Sequence, residues 1–255
     1  MSVGAPFLIV SSLASADIDR GALTSLGLAV VCLLAVVAAV GALVLRALRW
    51  EIRSYLGAIL FPNTGNMGLP LCLFAFGEEG LSLGLVVFVI VAITHFTAGL
   101  ALISGESHPL KLLANPIVWA AAIGSVILLT GWQLPDWAGN TVTIMAGFTI
   151  PLMLLTLGVS LARLKVRRFS RSLFLALMRM GLGFMAAIAI AKVFGLTGVA
   201  RGVLILDAAM PVAVFNYLLA ERYGRAPDEI AGAVVISTVL SFITLPVLLW
   251  YLLSI

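Results

Sequence analysis

The chain has 255 residues, of which 62% are apolar and 10% charged. Soluble domains are nearer 45–50% apolar and about 25% charged, so the composition excludes an ordinary soluble enzyme and points to a polytopic membrane protein. The net charge of +4 lies in short loops, where basic residues set topology, and is not a nucleic-acid signal.

Apolar stretches fall at 3–14, 22–45, 54–76, 81–104, 111–131, 139–161, 170–193, 198–220 and 230–254. A spanning helix needs about 20 residues at 1.5 Å each, so eight stretches pass and the first is too short to span alone. That first stretch has no basic leader before it, so no cleavable signal is expected. Cys32 and Cys72 lie in apolar stretches without metal or redox spacing, so packing is their default role. Arg46, Arg49 and Arg53 follow the second stretch, Lys111 the fourth, Arg163 to Arg171 the sixth, and Arg222 and Arg225 the eighth. Arg20, Lys192 and Arg201 lie on the other side. The positive-inside rule then predicts a cytoplasmic N-terminus and an external C-terminus in the cell's inner (plasma) membrane.

Two helix-breaking interruptions stand out, the first of them polar. The first is Phe61-Pro62-Asn63-Thr64-Gly65-Asn66-Met67-Gly68-Leu69-Pro70, and the second is Asp207-Ala208-Ala209-Met210-Pro211. Lipid offers no partner to freed backbone groups, so such breaks survive only inside protein or beside a water-filled cavity. In secondary transporters, interrupted helices are where substrate and ions bind.

The halves of the chain look related. Pro6–Leu13 resembles Pro151–Gly158, and Phe76-Gly77 with Gly84–Val87 resembles Tyr223-Gly224 with Gly232–Val235. On this register the Asn63–Asn66 break aligns with Met210–Ala213, and the broken segments enter the membrane from opposite sides. The expectation is one transmembrane domain over 1–255, with 1–110 an incomplete first repeat and 111–255 the second, inverted repeat. The second half is the longer, so the first is expected to lack one helix and the start of the next. A mis-assigned start and a genuine nine-helix variant both fit.

The motif Asn63–Pro70, the pair Met210–Ala213 and Tyr217–Gly224, and the tail Ser237–Pro246 resemble the auxin efflux carrier family over almost the whole chain. The resemblance implies inverted five-helix repeats, like those of bile-acid sodium symporters, with two broken helices crossing near the bilayer midplane. About nine of ten helices would be present. It also implies a scaffold built from the first two helices of each repeat, which is often the contact of a homodimer.

Three ionisable groups sit within apolar spans: His95, Arg179 and Asp207. Burying such charge costs roughly 2.5–3.5 kcal/mol for Asp or Arg at a helix centre, which marks them as functional candidates. Asp207 either takes up and releases a proton during transport or pairs with Arg179. Arg179 attracts an anionic substrate, or serves as counter-ion or contact to backbone carbonyls. His95 is a neutral hydrogen-bonding group or a proton relay. Asn63, Thr64, Gly65 and Asn66 either line the substrate site or satisfy the broken backbone; Pro211 either contacts the same cavity or only kinks the helix, Ala213 is expected beside it, and Asn216 either reaches that cavity or falls short of it. Half-helix N-termini there suit a carboxylate.

These readings predict a permease for a small organic anion such as a dicarboxylate, working by alternating access with a proton, or alternatively sodium, as coupling ion. A non-transporting fragment is the remaining alternative. No cofactor or metal is expected, since His95 and His108 make no site. Nor is an enzyme: His-Glu-x-x-His is absent, only one carboxylate lies within a span, and Ser104 with His95 makes a weak pair.

Overall fold

The computed structural model describes residues 4–15, 20–105, 116–130, 132 and 134–253. His108 and Lys111 lie outside them. Helix α1 (Gly4–Ser15) precedes α2 (Arg20–Ala47), whose 28 residues reach about 42 Å at 1.5 Å per residue. A turn with Arg49 at φ 57° leads into α3 (Ile52–Leu60). Helix α3 stops at Phe61 (φ −101°, ψ 108°), because the following Pro62 disfavours helical backbone at the residue before it.

The chain runs extended to Asn63 and rewinds through a wide π-type turn, Thr64–Gly68, into α4 (Leu69–Thr94). Pro70 lies in the first turn of α4, where its missing N–H is not needed. Helix α4 folds back at Gly77 (φ 66°, ψ −154°), a backbone region open essentially only to glycine. A second π-type turn, His95–Gly99, passes into α5 (Leu100–Ser104).

The later part contains α6 (Pro116–Thr130), α7 (Asp136–Arg163) and α8 (Phe169–Val193). The second interruption separates α9 (Gly198–Ala208) from α10 (Val214–Tyr223), which ends at Gly224 with φ 63°. Gly77 and Gly224, aligned by the sequence repeat, thus both take positive φ. Helix α11 (Pro227–Leu253) carries Asp228 and Glu229 in its first turn, where they complement the helix dipole.

Two apolar clusters form. One joins α2, α3, α8, α9, α10 and α11 through residues such as Val30, Ile59, Leu175, Leu204 and Val234. The other joins α1, α6 and α7 to one face of α4 through Ile9, Ile117, Ile150 and Phe88. The outside is as apolar as the inside: Ile144, Phe148 and Leu155 on α7, and Phe242, Ile243 and Val247 on α11, are exposed. Such a surface belongs in lipid. The described residues form an all-α, multi-span membrane protein.

Among the described residues, five continuous segments are long and apolar enough to cross a membrane, against eight stretches expected from the sequence. The difference has a physical cause. Stretches 54–76 and 198–220 are each divided by their break, the turn at Gly77 joins two stretches into one segment, and only part of 111–131 is described.

Candidate substrate and ion site

The two interruptions lie against each other. Pro62 and Val212 form an isolated antiparallel bridge. The Asn63 N–H donates to the Pro211 carbonyl at 2.8 Å, and the Ala213 N–H to the Phe61 carbonyl at 3.2 Å. Asn216 Nδ2 also donates to the Phe61 carbonyl, at 3.2 Å. Val212 N–H finds the Ser237 hydroxyl of α11 at 3.0 Å, and that hydroxyl donates onward to the Val234 carbonyl. Each broken helix therefore satisfies backbone groups of the other, which is how an extended segment survives at membrane depth.

Arg179 of α8 meets the ends of two half-helices. Its Nη1 donates to the Ile59 and Leu60 carbonyls at 2.9 and 2.8 Å, and its Nη2 to the Ala208 carbonyl at 2.5 Å. The side chain is 2% exposed. Gly183, one turn on, permits this approach: a Cβ there would collide with the Ala208 carbonyl and the guanidinium. At Gly181, two residues earlier, a Cβ would meet nothing within 4 Å.

Asp207 does not share an ion pair with Arg179 among the described residues, although both border one small cavity beneath Val30, Leu33 and Val37 of α2. Its carboxylate points the other way. Oδ1 lies against Gly68, so closely that a Cβ there would clash. Oδ2 is 3.8 Å from the Cys72 sulfur. Asp207 Oδ1 is buried without a hydrogen-bond partner, as are Asn63 Nδ2, Asn66 Oδ1, His95 Nε2 and Arg179 Nε. Buried polar groups are nearly always paired, so five such atoms around one crossing need an explanation. Thr64, Gly65, Pro211 and Ala213 are buried in the same place.

His95 sits on the other flank. Its ring stacks on Phe61 with centroids 4.0 Å apart and planes 6° from parallel, and it meets Phe215 edge-on at 5.4 Å. It borders a small cavity with Asn216 and Gly99. The crossing thus has two sides, one with Asp207, Gly68 and Cys72 and one with His95, Phe61 and Asn216. Among the described residues no group of three or more His, Cys, Asp or Glu is placed to hold a metal ion.

Sequence reasoning passed over Ser237 and gave Cys72 only a packing role. A signal existed for the serine: Ser237, Thr238 and Ser241 fall at helical spacing within an otherwise apolar span. No comparable signal pointed to Cys72.

Interrupted helices paired within an apolar bundle, with polar atoms turned into the crossing, are an arrangement that secondary transporters use. Residues 102–249 match the family described as membrane transport protein, and the chain belongs to this family, that of the auxin efflux carriers. An uncharacterized transporter of Methanothermobacter thermautotrophicus is 27% identical over 205 residues, covering 74% of this chain and 63% of the relative. An uncharacterized transporter of Methanocaldococcus jannaschii is 24% identical over 204 residues, covering 75% and 66%. Auxin efflux carrier component 1 of Arabidopsis thaliana is 26% identical over 148 residues, covering 55% and 23%. The chain spans less than two thirds of the length of these relatives.

Proposed function

We propose that this chain is a secondary carrier of a small organic anion, such as a dicarboxylate, coupled to protons through Asp207. One observation supports the reading above others: Asn63 Nδ2, Asn66 Oδ1 and Asp207 Oδ1 are buried and unpartnered where two interrupted helices meet. The amide hydrogens of Asn63 are available to a carboxylate, and Thr64 adds a hydroxyl. The half-helices rewinding from the breaks toward α4 and α10 each present an N-terminal end worth about half a positive charge.

Asp207 lies against the first of these ends, at Gly68. An ionised Asp207 competes with a substrate carboxylate for that positive end, and a protonated one does not. Proton and anion then bind together and leave together. Alternating access would move the crossed helices against α1, α6 and α7, which contact them through the Thr64–Gly68 turn and α4. The loop charges favour the inner (plasma) membrane with the N-terminus in the cytoplasm, and the family resemblance favours a homodimer. Sodium coupling is the second reading, because Asp207 Oδ1 and Asn66 Oδ1 are unpartnered oxygens of the kind sodium takes.

The test is electrogenic transport on solid-supported membranes, with malate, malonate, succinate and indole-3-acetate as substrates and with or without a pH gradient. A substrate-specific current that grows with the gradient is the expected result. Silence toward every anion, from correctly inserted protein, rejects the carrier reading and favours a non-transporting fragment.

A further inference from the structure

We infer that the Arg179 guanidinium occupies the place a coupling metal cation would take at this crossing, so that the carrier runs without sodium or potassium. The inference rests on the carrier reading and selects between its two coupling ions. In transporters with discontinuous helices, unwound carbonyls and half-helix C-terminal ends are what hold a coupling cation. Here the C-terminal ends of α3 and α9 converge, and the carbonyls of Ile59, Leu60 and Ala208 all accept from one guanidinium.

The charges balance. Each helix C-terminus is worth about half a negative charge, so two ends together present about one. A guanidinium supplies one positive charge that it keeps under all biological conditions. Its planar fork also reaches two helices at once: Nη1 serves α3 and Nη2 serves α9. It is covalently fixed to α8 and buried to 2% exposure, so it cannot leave with a substrate. Because Arg179 is directed at carbonyls, Asp207 keeps an unpartnered oxygen on the opposite side. With the carbonyls taken, Asp207 Oδ1 and Asn66 Oδ1 are the unpartnered buried oxygens left among the described residues, fewer than a hard metal cation takes but enough for a proton.

Two measurements on the full chain test this. The first is thermal unfolding of purified protein in detergent, which needs no substrate. Wild type should melt at the same temperature in sodium, potassium or N-methylglucamine chloride. Arg179→Ala should melt several degrees lower, and millimolar guanidinium or sodium should raise it saturably while N-methylglucamine does not. Arg179→Lys, which keeps the charge, should fall between the two. A saturable sodium stabilisation of wild type overturns the proposal, and so does an Arg179→Ala that melts like wild type. If Arg179→Ala cannot be purified, the wild-type salt series and Arg179→Lys decide.

The second measurement is anion current in the three salts at fixed pH. Equal currents support the proposal, and a current that requires sodium overturns it. Absence of current with any anion instead counts against the carrier reading, and the melting series still decides the role of Arg179.

Discussion

The two breaks meet but are built differently. The first, from Phe61 to Gly68, is polar and rewinds through a wide turn, and the side chains of Asn63 and Asn66 are left with unpartnered atoms. The second, from Ala209 to Ala213, is apolar, and its Val212 N–H is tied to Ser237 of α11. Each nevertheless completes the other: Asn216, just past the second break, reaches the Phe61 carbonyl, and Asp207, just before it, lies against Gly68. Under the proposed function the first break would contact the ligand and the second would brace it. Positions that the expected repeat would pair need not share their chemistry.

The largest effect that separates the two breaks is expected at Gly68. Gly68→Val drives a side chain into the Asp207 carboxylate. Transport should fall about a hundredfold, since misplacing a binding group by about an ångström has that effect. The protein should still reach the membrane, as checked by surface labelling.

Asn63→Ala removes the unpartnered amide donor of the first break. A loss of about tenfold in anion affinity is expected from the usual worth of hydrogen bonds to charged groups. An unchanged affinity would place the ligand elsewhere. Ser237→Ala acts on the brace, leaving the buried Val212 N–H unmet. Its cost should be about 1–3 kcal/mol in stability, with substrate preference unaltered. A changed preference in Ser237→Ala would erase the distinction between the breaks. The smallest effect is expected for Arg225→Gln, which breaks the ion pair to Glu51 at the ends of α3 and α10. Glu51 is about half exposed, so the pair contributes under about 1 kcal/mol and melting should barely move.

Both breaks were legible because proline and asparagine are conspicuous in apolar runs. Most helix ends followed, within a few residues, from where the apolar stretches stop. The partners of the buried charges were not legible. Arg179 and Asp207 lie on neighbouring helices of the sequence, and an ion pair between them was one natural reading. Rotation about each helix axis decides the matter: Arg179 is turned toward the ends of α3 and α9, and Asp207 toward Gly68 and Cys72. That phase depends on how helices distant in sequence pack, and one apolar helix face reads much like another. For the same reason the stacking of His95 on Phe61 could not be foreseen from their separation along the chain.

The central claim is that Asp207 carries the proton that accompanies the anion. The most direct measurement compares anion current in wild type and Asp207→Asn liposomes while the outside is acidified and the inside held neutral. The wild-type current should rise with the inward proton gradient, because protonated Asp207 leaves the positive helix end to the substrate. Asp207→Asn, permanently neutral, should still bind and exchange anion but give a current indifferent to the gradient. A current in Asp207→Asn that follows the gradient as wild type does would contradict the account.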